Sequence, residues 1–173
     1  MSDPTEPSPF VIEHLTLAGP GPALDVACGV GRHALAIART GRVVEAIDRS
    51  LTRCAELARR AAREGLAIRP VCADLAQLPL PRRRYAVVVN TLYLDRPLVP
   101  ALVRSLLPGG LLVFETFLIE QLASGHPRNP DFVLAPNELL RLAAGLRVLA
   151  YREGPVRRGG QTLYLASLAA RTP

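Results

Sequence analysis

The chain has 173 residues, 49% of them hydrophobic, enough for one domain with a proper core. Its net charge of +6 rests on 21 basic residues that are all arginine, a bias that reads as a GC-rich genome rather than a nucleic-acid footprint. No apolar run reaches membrane-spanning length, the acidic, proline-rich start is not a signal peptide, and the three cysteines form no C-x-x-C pair, so a cytoplasmic protein with no membrane contact, disulfide framework or metal centre is expected.

Residues 1–7 are polar and proline-rich and read as loose. Ser8 and Pro9 then open a helix, with Phe10, Val11, His14, Leu15 and Ala18 at helical spacing. Gly19-Pro20-Gly21-Pro22 stops it. A strand over 23–27 runs into Cys28-Gly29-Val30-Gly31, and a helix over 31–40 follows at once. Glycines at such a turn let the chain bend tightly and let a ligand approach the main chain, while the amides opening the next helix point at whatever is bound. Gly29-Val30-Gly31-Arg32-His33-Ala34 fits the loose dinucleotide pattern G-x-G-x-x-G/A. Asp25, four residues before the first glycine, points elsewhere. Its carboxylate repels a pyrophosphate but suits the ammonium and sulfonium groups of S-adenosylmethionine. Arg32 can pair with a ligand carboxylate, and His33 reads as a packed or solvent-facing residue.

The next strand, 43–47, ends on Asp48, at the spacing of an acid that accepts from ribose hydroxyls in either cofactor class. Arg49 follows, then a helix over 51–64 and a strand over 68–72 leading into Cys72-Ala73-Asp74-Leu75. Cys54 and Cys72 read as small core residues and Cys28 as packing within the turn. Arg82-Arg83-Arg84 precedes the strand 85–90 and reads as a solvated turn on the edge away from the ligand. That strand ends in Asn90-Thr91-Leu92-Tyr93. A helix over 97–106 and a strand over 111–117 bring Glu115 to the ligand edge. Two prolines stiffen the segment Gly125–Phe132, in which His126 can act as a general base and Arg128 can hold an anion. The plain alternative is a rigid loop whose polar groups cap a helix over 136–144. Strands at 146–151 and 163–169 are joined by a turn at Arg157-Arg158-Gly159-Gly160, where the arginines either meet an anionic substrate or form a charged turn. Strand–helix alternation implies parallel strands with right-handed crossovers, and the final hairpin requires one antiparallel strand. Ligands in such sheets bind outside the carboxyl ends of the strands.

Together these segments resemble class I S-adenosylmethionine-dependent methyltransferases. Asp25 through Gly31 is similar to the family's first motif, Asp48 to its ribose acid, and Asp74 to the acid that meets the adenine amino group. Tyr85–Asn90 is similar to the fourth strand and Leu107–Val113 to the turn before the fifth. The resemblance implies an α/β, Rossmann-like, seven-stranded, mostly parallel sheet of order 3-2-1-4-5-7-6 with helices on both faces, in a single domain over 1–173. It implies a cofactor set of Asp25, Ala27, Cys28, Gly29, Gly31, Arg32, Asp48, Arg49, Asp74, Leu75 and Asn90, with S-adenosylhomocysteine as product. His126, Glu115 and Tyr93 are the candidates on the acceptor side. The leading helix covers the cofactor pocket in related enzymes, which makes Pro9 and Phe10 lid candidates; the alternative is packing on the sheet.

The segments Phe132–Arg141 and Leu146–Glu153, with Pro9-Phe10 and Glu115-Thr116-Phe117, resemble small bacterial tellurite-resistance-type methyltransferases, a group of mixed substrates. The expected activity is methylation of a small S, O, N or metalloid acceptor by a monomer or homodimer. Methylation of RNA or protein is a rival, but Asn90-Thr91-Leu92-Tyr93 is not the N/D-P-P-Y/F motif of base-amino methylation. A noncatalytic S-adenosylmethionine-binding protein is the other rival, and a nicotinamide oxidoreductase is more distant.

Overall fold

The computed structural model describes residues 6–173, so most of the stretch read as loose lies outside the described residues. The strands are β1 (Ala23–Val26), β2 (Val44–Asp48), β3 (Ile68–Cys72), β4 (Tyr85–Thr91), β5 (Leu106–Phe117), β6 (Arg147–Arg158) and β7 (Gln161–Arg171). They form one sheet of order β3-β2-β1-β4-β5-β7-β6. The pairs from β3 through β5 are parallel, whereas β7 runs antiparallel to both β5 and β6. Order and direction are those the resemblance implied.

Every residue of β4 is buried, the near-continuous apolar run of a parallel strand covered on both faces. Strand alternation divides the core in two. Leu24, Val26, Val88 and Leu112 face one layer, under Leu102 of α4 (Val99–Ser105) and Leu139 of α5 (Glu138–Leu142). Ala23, Val87, Val89 and Leu111 face the other, under α1 (Pro9–Leu15), α2 (Arg32–Ala38) and α3 (Leu51–Glu64). In α3 the Ser50 hydroxyl accepts the Arg53 amide at 3.4 Å, Gly65 closes the helix at φ 63°, and Cys54, Leu57 and Ala61 form the buried stripe. Each large apolar side chain so buried contributes roughly 1.5–3 kcal/mol.

Several boundaries differ from expectation. The leading helix ends at Leu15, not Ala18, and α5 spans only Glu138–Leu142. A 3-10 turn at Arg96–Leu98 precedes α4, and β5 begins at Leu106. The largest difference is the hairpin. The expected strand over 146–151 extends as β6 to Arg158, passing through Gly154-Pro155, because β6 is the sheet's edge strand and tolerates a missing donor. The turn is Gly159-Gly160 alone, with φ of 52° and 77°, and Arg157 and Arg158 belong to β6. Cys72 is exposed rather than core, because β3 forms the other edge of the sheet. No helix among the described residues is long and apolar enough to cross a membrane.

Candidate active site

β1 leaves the sheet at Val26, and the chain then turns through Ala27, Gly29 and Gly31 with φ of 50°, 58° and 77°. A Cβ on Gly31 would lie 2.3 Å from Leu57 Cδ1, so this glycine lets α2 close onto α3. A Cβ on Gly29 would meet nothing within 4 Å, so this glycine faces open space. The Cys28 amide donates to the Ile47 carbonyl at 2.9 Å, tying the turn to β2. Its thiol is buried beside Asp25 and Asp48, and burial above all holds it protonated and unreactive.

Asp25 is 0% exposed. Its Oδ2 accepts the Ala34 amide at 2.9 Å in the first turn of α2, and its Oδ1 has no protein partner. Burial pushes its pKa up to about 7, against the pull of the Ala34 amide and Arg32. Arg32 is half-buried, and burial and the Arg158 guanidinium both oppose its charge. His33 is packed rather than solvent-facing. The Ser8 amide can only donate, so His33 Nε2 accepts it at 3.0 Å, and Nδ1 carries the proton toward Thr91 Oγ1 at 3.2 Å. Burial, then Arg32 and Arg158, keeps the ring neutral with a pKa of about 3.

Asp48 closes β2. Its Oδ2 accepts the Gly29 amide at 2.8 Å and its Oδ1 the Ser50 amide at 2.9 Å, so one carboxylate joins the glycine turn to the start of α3. A cavity of about 420 Å³ opens beside it, lined by Ala27, Asp48, Arg49, Asp74 and Leu75 and, across from them, by Tyr93 and His126. Asp74 is exposed and accepts the Ala76 amide at 3.0 Å. The His126 ring stands edge-on to Phe117 at 6.3 Å. Tyr93 is half-buried, and burial with the nearby Asp95 and Asp74 holds its hydroxyl protonated. Asn90 lies just beneath: its amide donates to the Tyr93 carbonyl at 2.7 Å, and its Oδ1 is buried without a partner.

Asp25, Cys28, Gly29, Gly31, Arg32 and Asn90 do not line this cavity. Phe117, which ends the strand that carries Glu115 to the ligand edge, lines it too, and so do Arg53, Pro127 and Phe132, to which the sequence reading assigns no role. Arg53 carries a weak signal, since it sits in the first turn of the helix after Asp48. Phe132 and Pro127 carry another, as members of the stiff segment. Arg128 is exposed outside the cavity. The segment is held by Arg96, which donates to the carbonyls of Asp131 at 2.7 Å and Val133 at 2.9 Å and pairs with Glu138 at 2.6 Å.

Glu115 lies deeper than the other two acceptor-side candidates, Tyr93 and His126. It is 0% exposed and does not reach the cavity. Its Oε1 accepts the Ser8 hydroxyl at 2.8 Å and Arg158 Nη2 at 2.7 Å, and its Oε2 accepts the Ser167 hydroxyl at 2.8 Å. These contacts join the start of α1, β5, β7 and the hairpin, so the carboxylate is fully engaged by protein groups. Arg158 is correspondingly neither a charged turn nor a free anion site. Phe10 is buried in the α1–α2 core with the Arg152 guanidinium 4.9 Å above it, so it packs on the sheet rather than forming a lid.

A larger groove of about 1100 Å³ lies at the opposite end, between the C-terminal end of α1 and β2. Three of its charged groups are already engaged. Arg42 donates to the carbonyls of Ala18, Gly19 and Gly21, and Arg84 pairs with Glu45. Arg82-Arg83-Arg84 is thus the turn expected away from the ligand edge, held by the Arg104 and Ser105 carbonyls.

Residues 23–110 match the family model for the methyltransferase domain. TehB from Haemophilus influenzae superposes with a TM-score of 0.81 at 21% identity, over 96% of this chain and 63% of that one. The chain therefore spans less than two thirds of TehB. Geranyl diphosphate C-methyltransferase from Streptomyces coelicolor A3(2), solved with Mg2+, geranyl diphosphate and S-adenosyl-L-homocysteine, gives a TM-score of 0.73 at 21% identity over 95% and 78% of the two chains. A SAM-dependent methyltransferase from Methanosarcina mazei gives 0.75 at 17% identity over 96% and 98%. At these identities the likeness is one of fold. No curated protein matches the chain.

Proposed function

Because the chain belongs to the methyltransferase-domain family, we propose that it binds S-adenosylmethionine at the glycine turn and methylates a small-molecule acceptor, as one cytoplasmic domain. The observation that carries this reading is the acid left short of partners. Asp25 Oδ1 is buried with no protein group to accept from, directly under the turn. Such an atom suits a cationic ligand and opposes a pyrophosphate. The open space over Gly29 lets the ligand approach the main chain.

Asp48 would accept from the ribose hydroxyls and Asp74 from the adenine amino group, with Ala27, Arg49 and Leu75 as walls. Arg32, with no ion-pair partner among the described residues, would meet the methionine carboxylate, and Asn90 would support the floor. Bound there, the cofactor supplies an electrophilic methyl carbon. The chain's own contribution is alignment, which can lower a barrier by roughly 7–11 kcal/mol. Tyr93 and Phe117 orient the acceptor, and His126 takes its proton where it arrives as a thiol, hydroxyl or amine. Geranyl diphosphate in the Streptomyces coelicolor neighbour supports a small acceptor.

The test is calorimetric binding of S-adenosylmethionine, S-adenosylhomocysteine and NAD to the wild type and to Asp48→Ala. The first two bind and NAD does not, and the substitution weakens binding about tenfold or more, a loss of roughly 1.4 kcal/mol or greater. Binding of NAD alone would overturn the reading.

A further inference from the structure

Two of the three cysteines, Cys54 and Cys72, meet at Asp48, although 18 residues separate them in sequence, and the third lies in the adjoining turn. Cys28 lies in the turn whose next amide, that of Gly29, donates to the Asp48 carboxylate. Cys54, in the first turn of α3, places its thiol 3.5 Å from the Asp48 carbonyl and 3.7 Å from that of Val71. Cys72 stands opposite Asp48 in the β2–β3 register, and its thiol lies 3.6 Å from the Arg49 carbonyl. Cys54 therefore leans toward the end of β3, while Cys72 leans back toward the start of α3. Their side chains converge on the same short stretch of backbone. Cys54 is buried and Cys72 exposed, so one thiol can meet an oxidant and the other waits beside it. Burial and the neighbouring Cys72 and Asp48 hold the Cys54 thiol protonated.

We propose that Cys54 and Cys72 are an oxidative-modification site, at which a peroxide forms an intramolecular disulfide that weakens cofactor binding. In the first step the Cys72 thiolate attacks a peroxide oxygen. The O–O bond breaks, the distal oxygen leaves as water or an alcohol after taking a proton, and Cys72 becomes a sulfenic acid. In the second step the Cys54 sulfur attacks the Cys72 sulfur. The S–O bond breaks, and water leaves with the Cys54 proton. The peroxide gains two electrons and the thiol pair loses two. Metal capture is not the chemistry of this pair, since no group of three His, Cys, Asp or Glu side chains among the described residues suits a metal.

The consequence follows from what the thiols touch. Oxidation removes both S–H donors from the carbonyls of Asp48 and Arg49. The crosslink also draws the first turn of α3 toward the end of β3. Both changes act on the segment 48–50, which orients the Asp48 carboxylate through the Gly29 and Ser50 amides. The loss of affinity rests on the reading of Asp48 as a cofactor ligand.

The test treats the full chain with hydrogen peroxide and digests it without reductant. Mass spectrometry then seeks a peptide pair joined through Cys54 and Cys72. Calorimetry measures S-adenosylmethionine affinity before oxidation, after it, and after dithiothreitol. The joined peptides appear and affinity falls about tenfold or more, recovering with reductant. Cys54→Ser and Cys72→Ser bind like the wild type when reduced and no longer lose affinity to peroxide in this way. A Cys72 sulfinic acid or an intermolecular dimer in place of the joined peptides would overturn the proposal. So would a 54–72 disulfide that leaves affinity unchanged. If the reduced protein binds no S-adenosylmethionine, the functional reading fails separately. Hydrogen exchange of the Ser50 amide then decides this proposal: it quickens about tenfold in the disulfide form, and an unchanged rate sinks it.

Discussion

Two carboxylates are wholly buried at the carboxyl edge of this sheet, and they are treated in opposite ways. Glu115, on β5, accepts from two hydroxyls and a guanidinium, and a second guanidinium, that of Arg152, lies 3.6 Å away. Asp25, on β1, is given one backbone amide and one orphaned oxygen. Burying a carboxylate is costly unless it is bonded or neutralised. The C-terminal half satisfies that requirement within the protein. The N-terminal half leaves it open, as a site for a ligand would. The contrast separates an acid fully paired within the fold from one left short of partners, although both lie at strand ends.

The largest effect that can test the contrast is at Glu115. Glu115→Gln leaves the Arg158 guanidinium, 11% exposed, without a counter-charge. Breaking one partner of a buried pair costs about 3–5 kcal/mol, whereas replacing both with apolar residues is often neutral. Urea denaturation of Glu115→Gln should show a loss of that size, and Glu115→Leu with Arg158→Met should recover most of it. The folded fraction of Glu115→Gln should bind cofactor like the wild type. A stable Glu115→Gln that has lost cofactor binding would erase the distinction between the two acids.

Asp25 offers the converse test through pH. Its pKa is raised from 3.8 to about 7, so between those values the folded chain keeps a proton that the unfolded chain has released. The stability linked to this group is therefore full below about pH 4 and is lost as pH rises through 7. At 1.36 kcal/mol per unit the total is roughly 4 kcal/mol. Denaturation of wild type and Asp25→Asn from pH 4 to pH 8 should give a difference that grows in favour of the variant as pH rises. A cationic ligand reverses the preference, because it favours the carboxylate. Binding near pH 6 should release a proton, and affinity should rise with pH up to about 7. Calorimetry in buffers of different ionisation enthalpy reads that proton directly. A pH-independent affinity with no proton release would remove Asp25 from the cofactor set.

The same contrast explains what the sequence made legible. Asp25, the glycine turn and Asp48 are local: each lies within a few residues of a strand end, and strand alternation alone places them on one edge. Glu115 looked equally well placed, but its role depends on Ser8, Arg158 and Ser167, which lie 107, 43 and 52 residues away in sequence. Nothing in the spacing of residues 111–117 announces those partners. The hairpin is longer than the spacing predicts for a related reason. A strand that carries Pro155 fits only at a sheet edge, and edge position is a property of the whole sheet. Cys54 and Cys72 read as two small core residues, because register rather than sequence brings them to Asp48.

The smallest effects come from the two glycines of the turn, and they divide the same edge more finely. Both have positive φ, at 58° for Gly29 and 77° for Gly31, so alanine at either costs roughly 1 kcal/mol in backbone strain. Beyond that they part. At Gly31 a new Cβ would press on Leu57, with Cδ1 at 2.3 Å, and overpacking of this kind costs roughly 1–3 kcal/mol more. At Gly29 the new Cβ meets no protein atom within 4 Å, so stability loses only the backbone strain. The methyl group would instead stand in the space over the turn, where a ligand must approach the amides. Gly31→Ala should therefore lower the unfolding midpoint more than Gly29→Ala, while Gly29→Ala should weaken S-adenosylmethionine binding more than Gly31→Ala. If both variants lose stability equally and bind equally, the open face of Gly29 is not a ligand surface, and the unpartnered Asp25 oxygen beneath it needs another explanation.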